Sequence, residues 1–308
     1  MSVPTSDSTG KRLSPRLGAH MSIAGGLHNA FDIAQTAGCD CLQVFVKNQR
    51  QWNAKPLGDD AVDAWRGAAS RTGIGPTVAH ATYLINLASP NKTVRTRSIA
   101  ALAYELERCS ALGIRGLVMH PGAHLGEGEA AGVRRIARSL DEVLARTAAC
   151  DSQVWLEITA GQGSCLGHRF EHLRDIIAAV RDADRVGVCF DTCHACAAGY
   201  RMDTPEGYDS TFAQFDACIG PDRLRCFHMN DSKRELGSRV DRHTHIGKGP
   251  GSVPTNHQRR PLPRCADDSR DAQGQGRSRT RLRSPESRGP APPGGAIRTA
   301  RSNHADDD

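Results

Sequence analysis

What the chain lacks narrows its class first. No apolar run is long enough to span a bilayer core, about 20 residues as a helix. Met1 to Pro15 is polar and has no apolar h-region, so it does not read as a secretory signal. The expectation is a cytoplasmic protein with no membrane partner. In that compartment the 11 cysteines read as reduced thiols. Cys193-His-Ala-Cys196 is a C-x-x-C pair, but no second pair stands at zinc-finger spacing, so packing is its simpler assignment.

Charge is also scarcer than the total suggests. The formal net charge is +6, yet the stretch from Pro250 onward has 11 Arg, no Lys and 7 acidic residues. Residues 1–249 are left at +2. Bulk charge therefore makes no case for nucleic acid, and any DNA surface must be a local patch. The same stretch is nearly empty of large apolar residues: Val253, Leu262, Leu282 and Ile297 are all it has. So little apolar surface cannot offset ordering entropy. Residues 250–308 are expected to be a disordered Arg/Pro/Gly-rich tail, and 1–15 a disordered N-terminus. The abrupt change in composition is what a frameshifted reading frame produces.

What is present, between about 16 and 249, is a series of short apolar strands alternating with helical patterns. Strand candidates are Leu17–His20, Cys41–Val46, Pro76–His80, Gly116–His120, Gln153–Glu157, Gly187–Asp191 and Leu224–His228. Helices are expected over about 27–37, 60–71, 94–112, 130–149, 170–182 and 210–219. Repeated β-then-α units indicate an α/β fold with a parallel barrel, whose chemistry sits at the C-terminal ends of the strands. His80, His120, Glu157, Asp191 and His228 each occupy the last position of an expected strand. One such histidine is more simply a packed ring, and Asp191 alone could be a helix cap with His194 packed nearby. Five ligand-type residues at one structural station imply a shared mouth. His194, Asp241 and His243 follow in loops.

These eight nitrogen and oxygen donors exceed what one four-coordinate zinc needs, so a cluster with bridging carboxylates is implied. Imidazole with carboxylate suits zinc better than magnesium. Such a clamp serves phosphoester hydrolysis. The loop Lys47-Asn-Gln-Arg50-Gln51-Trp52 combines cations, amides and an aromatic, a mix that suits phosphates and stacked bases. His28, His168 and His172 read as surface residues, and His20 and His124 lie near the mouth without being required.

The ordered stretches Gly18–Gly26, Lys47–Trp52, His80–Leu87, His120–His124, Leu156–Gly163, Phe190–His194, His228–Asp231 and Ser238–His243 resemble the endonuclease IV (deoxyribonuclease IV) family of abasic-site nucleases. The resemblance implies a (β/α)8 TIM-type barrel, three zinc ions and, as partner, double-stranded DNA with abasic sites. It implies a monomeric DNA-repair hydrolase that cuts the phosphodiester 5′ to the lesion and leaves a 3′-hydroxyl. Carried over by position, His80 and His120 hold one zinc and Glu157 bridges it to a second. Asp191 and His228 hold the second, and His194, Asp241 and His243 the third. A hydroxide between the first two metals would be the nucleophile, with Glu157 as the bridging catalytic ligand. Arg50, Gln51 and Tyr83 would meet the DNA, Arg50 and Tyr83 entering it at the lesion.

The resemblance stops near His245–Gly249. The family continues with a helix and an eighth strand that ends in a glutamate, the ninth ligand. Here the only glutamate beyond Pro250 is Glu286. The expectation is a barrel lacking its eighth strand, open between strands seven and one, with a weakened second zinc site. Two other functions compete with an abasic-site endonuclease: a non-catalytic relic that binds DNA or zinc, and a metal-dependent sugar isomerase.

Overall fold

The structure is a computed structural model that describes residues 16–250 and the backbone of 297–300. Its strands, in chain order, are β1 Arg16–His20, β2 Cys41–Phe45, β3 Thr77–His80, β4 Gly116–Met119, β5 Gly122–Ala123, β6 Gln153–Glu157, β7 Cys165–Leu166, β8 Val186–Asp191, β9 Leu224–His228, β10 Asp231–Ser232, β11 His243–Thr244 and β12 Ile297–Ala300. The α-helices are α1 Asn29–Thr36, α2 Asp59–Thr72, α3 Lys92–Ala111, α4 Glu129–Arg146, α5 Phe170–Ala179, α6 Thr192–Ala198 and α7 Pro205–Cys218. Eight parallel strands close a barrel in the order β1-β12-β9-β8-β6-β4-β3-β2. No helix among the described residues is long and apolar enough to cross a membrane.

The expected TIM barrel is present, but the gap expected between its seventh and first strands is closed. Ile297–Ala300 pairs with β1 (Arg16↔Ile297) on one side and with β9 (Thr299↔His228) on the other. Two facing strand edges leave rows of N–H and C=O groups unpaired, and even a four-residue segment can satisfy them. That part of the expected tail is therefore a strand. The rest of it, 251–296 and 301–308 with Glu286 and the proposed frameshift, lies outside the described residues, as does the N-terminal segment 1–15.

The barrel interior is layered by the two-residue period of the strands. Cys41, Val78, Val118, Trp155, Cys189 and Cys226 form one buried cluster. Glycine makes room for the indole in this layer: a Cβ on Gly116 would lie 2.3 Å from the Trp155 ring and one on Gly187 2.9 Å from it. Two positions further along each strand path stand Gln43, His80, His120, Glu157, Asp191 and His228. An apolar plug thus supports a polar layer at the barrel mouth. The intervening residues, such as Val154, Leu156, Val188 and Phe190, face outward into the larger core shared with the helices.

Candidate metal centre

Glu157 is the hub of the polar layer. It ends β6, and its side chain is wholly buried. Its Oε2 lies 3.1 Å from His80 Nε2 and 3.0 Å from His120 Nε2, and its Oε1 2.7 Å from His228 Nδ1. Burial disfavours the carboxylate, but the imidazoles of His228 and His120 outweigh it and hold the carboxyl well below its usual range.

The far nitrogen of three rings is committed elsewhere. His80 Nδ1 donates to the Ala81 carbonyl at 2.7 Å, and His194 Nδ1 to the Ile158 carbonyl at 2.8 Å. His228 Nε2 donates to Gln43 Oε1 at 2.8 Å. In a neutral ring the other nitrogen then carries a lone pair. For His80 and His228 that lone pair faces Glu157. For His194 it faces Asp241 Oδ2 at 3.2 Å and His243 Nε2 at 3.3 Å. A lone pair facing a carboxylate needs a cation between them, either a proton or a metal ion. His120 Nε2 is buried, 3.0 Å from Glu157 Oε2. The contacts of His80 and His120 with Glu157 and of His194 with Asp241 and His243, at 3.0–3.3 Å, are near the roughly 3.3 Å expected between two ligands about 2.0 Å from one tetrahedral zinc, while His228 stands closer to Glu157, at 2.7 Å.

The donors fall into distinct sets. His80, His120 and Glu157 form one cluster of possible ligand atoms, and His194, Asp241 and His243 another. In the second set His243 Nε2 is 3.1 Å from Asp241 Oδ1. Asp241 is partly shielded, which works against its ionisation, yet His194 and His243 hold its carboxyl far below the usual range. Asp191 sits between the sets. Its Oδ1 accepts the His194 backbone N–H at 2.9 Å as N-cap of α6, and its Oδ2 accepts Asn230 Nδ2 at 2.6 Å. Its Oδ2 stands 3.9 Å from His228 Nδ1. Capping and ligand-like placement thus coexist in one residue. The sequence of β12, Ile-Arg-Thr-Ala, contains no carboxylate.

The loop after β9 carries Asp241 and His243 back over the mouth. Asp231 fastens its far end by accepting the Gly247 and Gly249 N–H groups at 2.9 and 3.0 Å. Gln162 Oε1 accepts the Asp241 N–H at 2.9 Å, and Arg239 donates to His168 at 3.0 Å. His168 and His172, expected at the surface, are buried: His168 Nδ1 donates to the Cys165 carbonyl, and His172 pairs with Glu129 at 3.2 Å. His124 Nδ1 accepts the Gly128 N–H. The thiols of Cys193 and Cys196 are buried, and desolvation pushes both pKa values up, Cys196 to about 11, which agrees with packing.

Tyr83 stands on the rim. It is 49% exposed, with its ring 5.2 Å from that of His80 and 5.7 Å from that of His120. Arg50 and Gln51 are exposed on the neighbouring loop.

A family model described as a xylose isomerase-like TIM barrel matches residues 31–262. A probable endonuclease 4 of Chloroflexus aurantiacus is 52% identical over 235 residues, 76% of this chain and 82% of that protein. The chain belongs to the endonuclease 4 family. A probable endonuclease 4 of Geobacter sulfurreducens is 51% identical, over 76% of this chain and 79% of its own length. The crystal structure of endonuclease IV from Thermus thermophilus superposes with a TM-score of 0.73 at 28% identity, covering 95% of this chain and 94% of that one.

In this endonuclease 4 family member all eight expected donors lie at the mouth, in sets that share Glu157 or adjoin through Asp191. Residue types alone did not single out Gln43, Asn230, Gln162 or Ala81 as the groups that orient them. Gln43 had a signal: it follows Cys41 by two, on the same strand face as the other mouth residues.

Proposed function

We propose that this protein is a zinc-dependent endonuclease of DNA repair that acts on duplex DNA at abasic sites. It would hydrolyse the phosphodiester on the 5′ side and leave a 3′-hydroxyl. Family membership supports the class of reaction. The observation that carries the metal chemistry is the set of imidazoles turned lone-pair-first onto the carboxylates of buried Glu157 and partly shielded Asp241, with their far nitrogens tied to carbonyl oxygens. That is how metal-binding histidines are commonly oriented.

His80, His120 and Glu157 would hold one ion, and His194, Asp241 and His243 another. Glu157, Asp191 and His228 would hold a third between them, the weakest, because β12 adds no carboxylate. Zinc bound at such a site lowers the pKa of water and neutralises charge on phosphoryl oxygens. The chain's own part is positional. Ala81, Ile158 and Gln43 fix the tautomers, Glu157 spans two donor sets, and the apolar plug keeps water out from below. Tyr83 and Arg50 would engage the duplex beside the lesion and fill the gap left by an extruded nucleotide.

The test is incubation with a duplex holding one tetrahydrofuran abasic analogue, with zinc and with chelator. Zinc-dependent nicking on the 5′ side of the analogue is expected. A zinc-loaded protein that binds this duplex without nicking it would favour a non-catalytic relic, and ketose formation from an aldose would favour an isomerase.

A further inference from the structure

Both loops that the proposed function sets against DNA are fastened to one buried ion pair. Glu105 lies within α3, between His80 and His120 in the chain, and its side chain is wholly buried. Its Oε1 is 3.1 Å from Lys47 Nζ, and its Oε2 accepts the Thr82 backbone N–H at 3.1 Å. Lys47, itself buried, donates to the Gln51 carbonyl at 2.6 Å. The Thr82 hydroxyl donates to the Gln49 carbonyl. These contacts close a ring: Glu105 to Lys47, Lys47 to the 49–51 turn, that turn to Thr82, and Thr82 back to Glu105. Arg50 lies between the two bonded carbonyls, and Tyr83 directly follows Thr82.

The rest of α3 braces the same segment. Arg108 donates to the Val46 carbonyl at 2.7 Å and the Lys55 carbonyl at 3.1 Å, and the Tyr104 hydroxyl to Lys55 at 2.9 Å. A buried ion pair is poor evidence for stability, because an apolar pair of similar volume commonly serves as well. What this pair does supply is direction: a carboxylate has acceptors for both a loop amide and an ammonium, and the ammonium reaches a second loop. Apolar side chains could fill the space but could not set the two backbones relative to each other.

We propose that Glu105, acting through Lys47 and Thr82, is a positioning residue that holds Arg50 and Tyr83 at a fixed spacing for the duplex and so governs DNA binding, not the hydrolytic step. The proposal rests on the DNA-directed function above. Three variants test it in the full chain: Glu105→Gln, the double change Lys47→Met with Glu105→Leu, and Thr82→Val. Each is measured for bound zinc, for hydrolysis of bis(4-nitrophenyl) phosphate, which needs no loop, and for kinetics on the abasic duplex. Zinc content and small-diester turnover should match the unaltered protein. KM for the duplex should rise about tenfold in the first two variants, and less in Thr82→Val, with kcat little changed.

The proposal is overturned if folded variants keep the original KM, or if small-diester and duplex turnover fall together, as a merely structural role would produce. If the unaltered protein does not nick the duplex, the functional reading fails by itself. Fluorescence anisotropy with the same duplex then decides: weaker binding by all three variants supports the clamp. Equal binding, or no binding by any form, sinks it.

Discussion

Replacing Glu157 with Gln should remove more zinc-induced stability than losing a residue that serves one donor set. The amide keeps the shape of the side chain but removes its charge. Glu157 reaches His80 and His120 with one oxygen and His228 with the other, at 2.7–3.1 Å. His243 contacts the Asp241 and His194 set. A ligand that binds only the folded state at a hundredfold excess over its Kd contributes about 2.7 kcal/mol per site. Two sites contribute about 5.4 kcal/mol on the same basis. In a domain of this size 1 kcal/mol moves Tm by roughly 2–4 °C. Glu157→Gln should thus erase about 11–22 °C of the zinc-induced rise in Tm, and His243→Ala about 5–11 °C. Calorimetric melts with and without zinc, with bound metal counted by plasma mass spectrometry, check this. If Glu157→Gln loses no more of the rise than His243→Ala, or binds as much zinc as the unaltered protein, the shared-carboxylate arrangement is wrong.

Other outcomes follow from single contacts. Tyr83→Ala should leave stability within about 0.5 kcal/mol, since the ring is half exposed, while titration should show weaker binding to an abasic duplex by about 1–3 kcal/mol. In the metal-free protein burial disfavours the charged His194 ring, but Asp191 and Asp241 more than offset this and push its pKa up to about 10 from 6.5. That stabilisation is full below pH 6.5 and lost as pH rises through about 10. The metal-free Tm should fall across that window, and the fall should vanish in His194→Asn. Gly116→Ala, whose Cβ would lie 2.3 Å from the Trp155 ring, should lose about 1–3 kcal/mol in urea unfolding.

The polar mouth was legible because each barrel strand announces itself as a short apolar run and then stops on a ligand-type residue. His80, Glu157, Asp191 and His228 do end their strands, and His120 follows β4 by one residue. The orienting groups were less legible. Ala81 and Ile158 act through backbone carbonyls, which no side-chain pattern encodes. Glu105 looks like any helix acid until Lys47 and Thr82 are brought against it from two other segments. Helix α6 is visible in the sequence only through Asp191 as a possible helix cap, because seven residues carry too little periodicity. The closing strand was missed for a related reason. Ile-Arg-Thr-Ala has nothing to distinguish it from its surroundings, and its pairing is dictated by the two edges it meets. His168 and His172 resemble surface residues in the sequence because a polar helix start hides the pocket formed by Glu129 and the Arg239 loop.

Asp191 both starts α6 and presents its carboxylate to His228, while the third residue of that helix is His194. A carboxylate that turns toward an ion on one side tugs on the amide of a donor belonging to the other. If ions load as proposed, neighbouring positions would be mechanically linked, since filling one would pre-order the ring that serves the next. Titration with zinc should rise more steeply than independent sites allow, and Asp191→Asn should flatten the curve as well as lower its plateau.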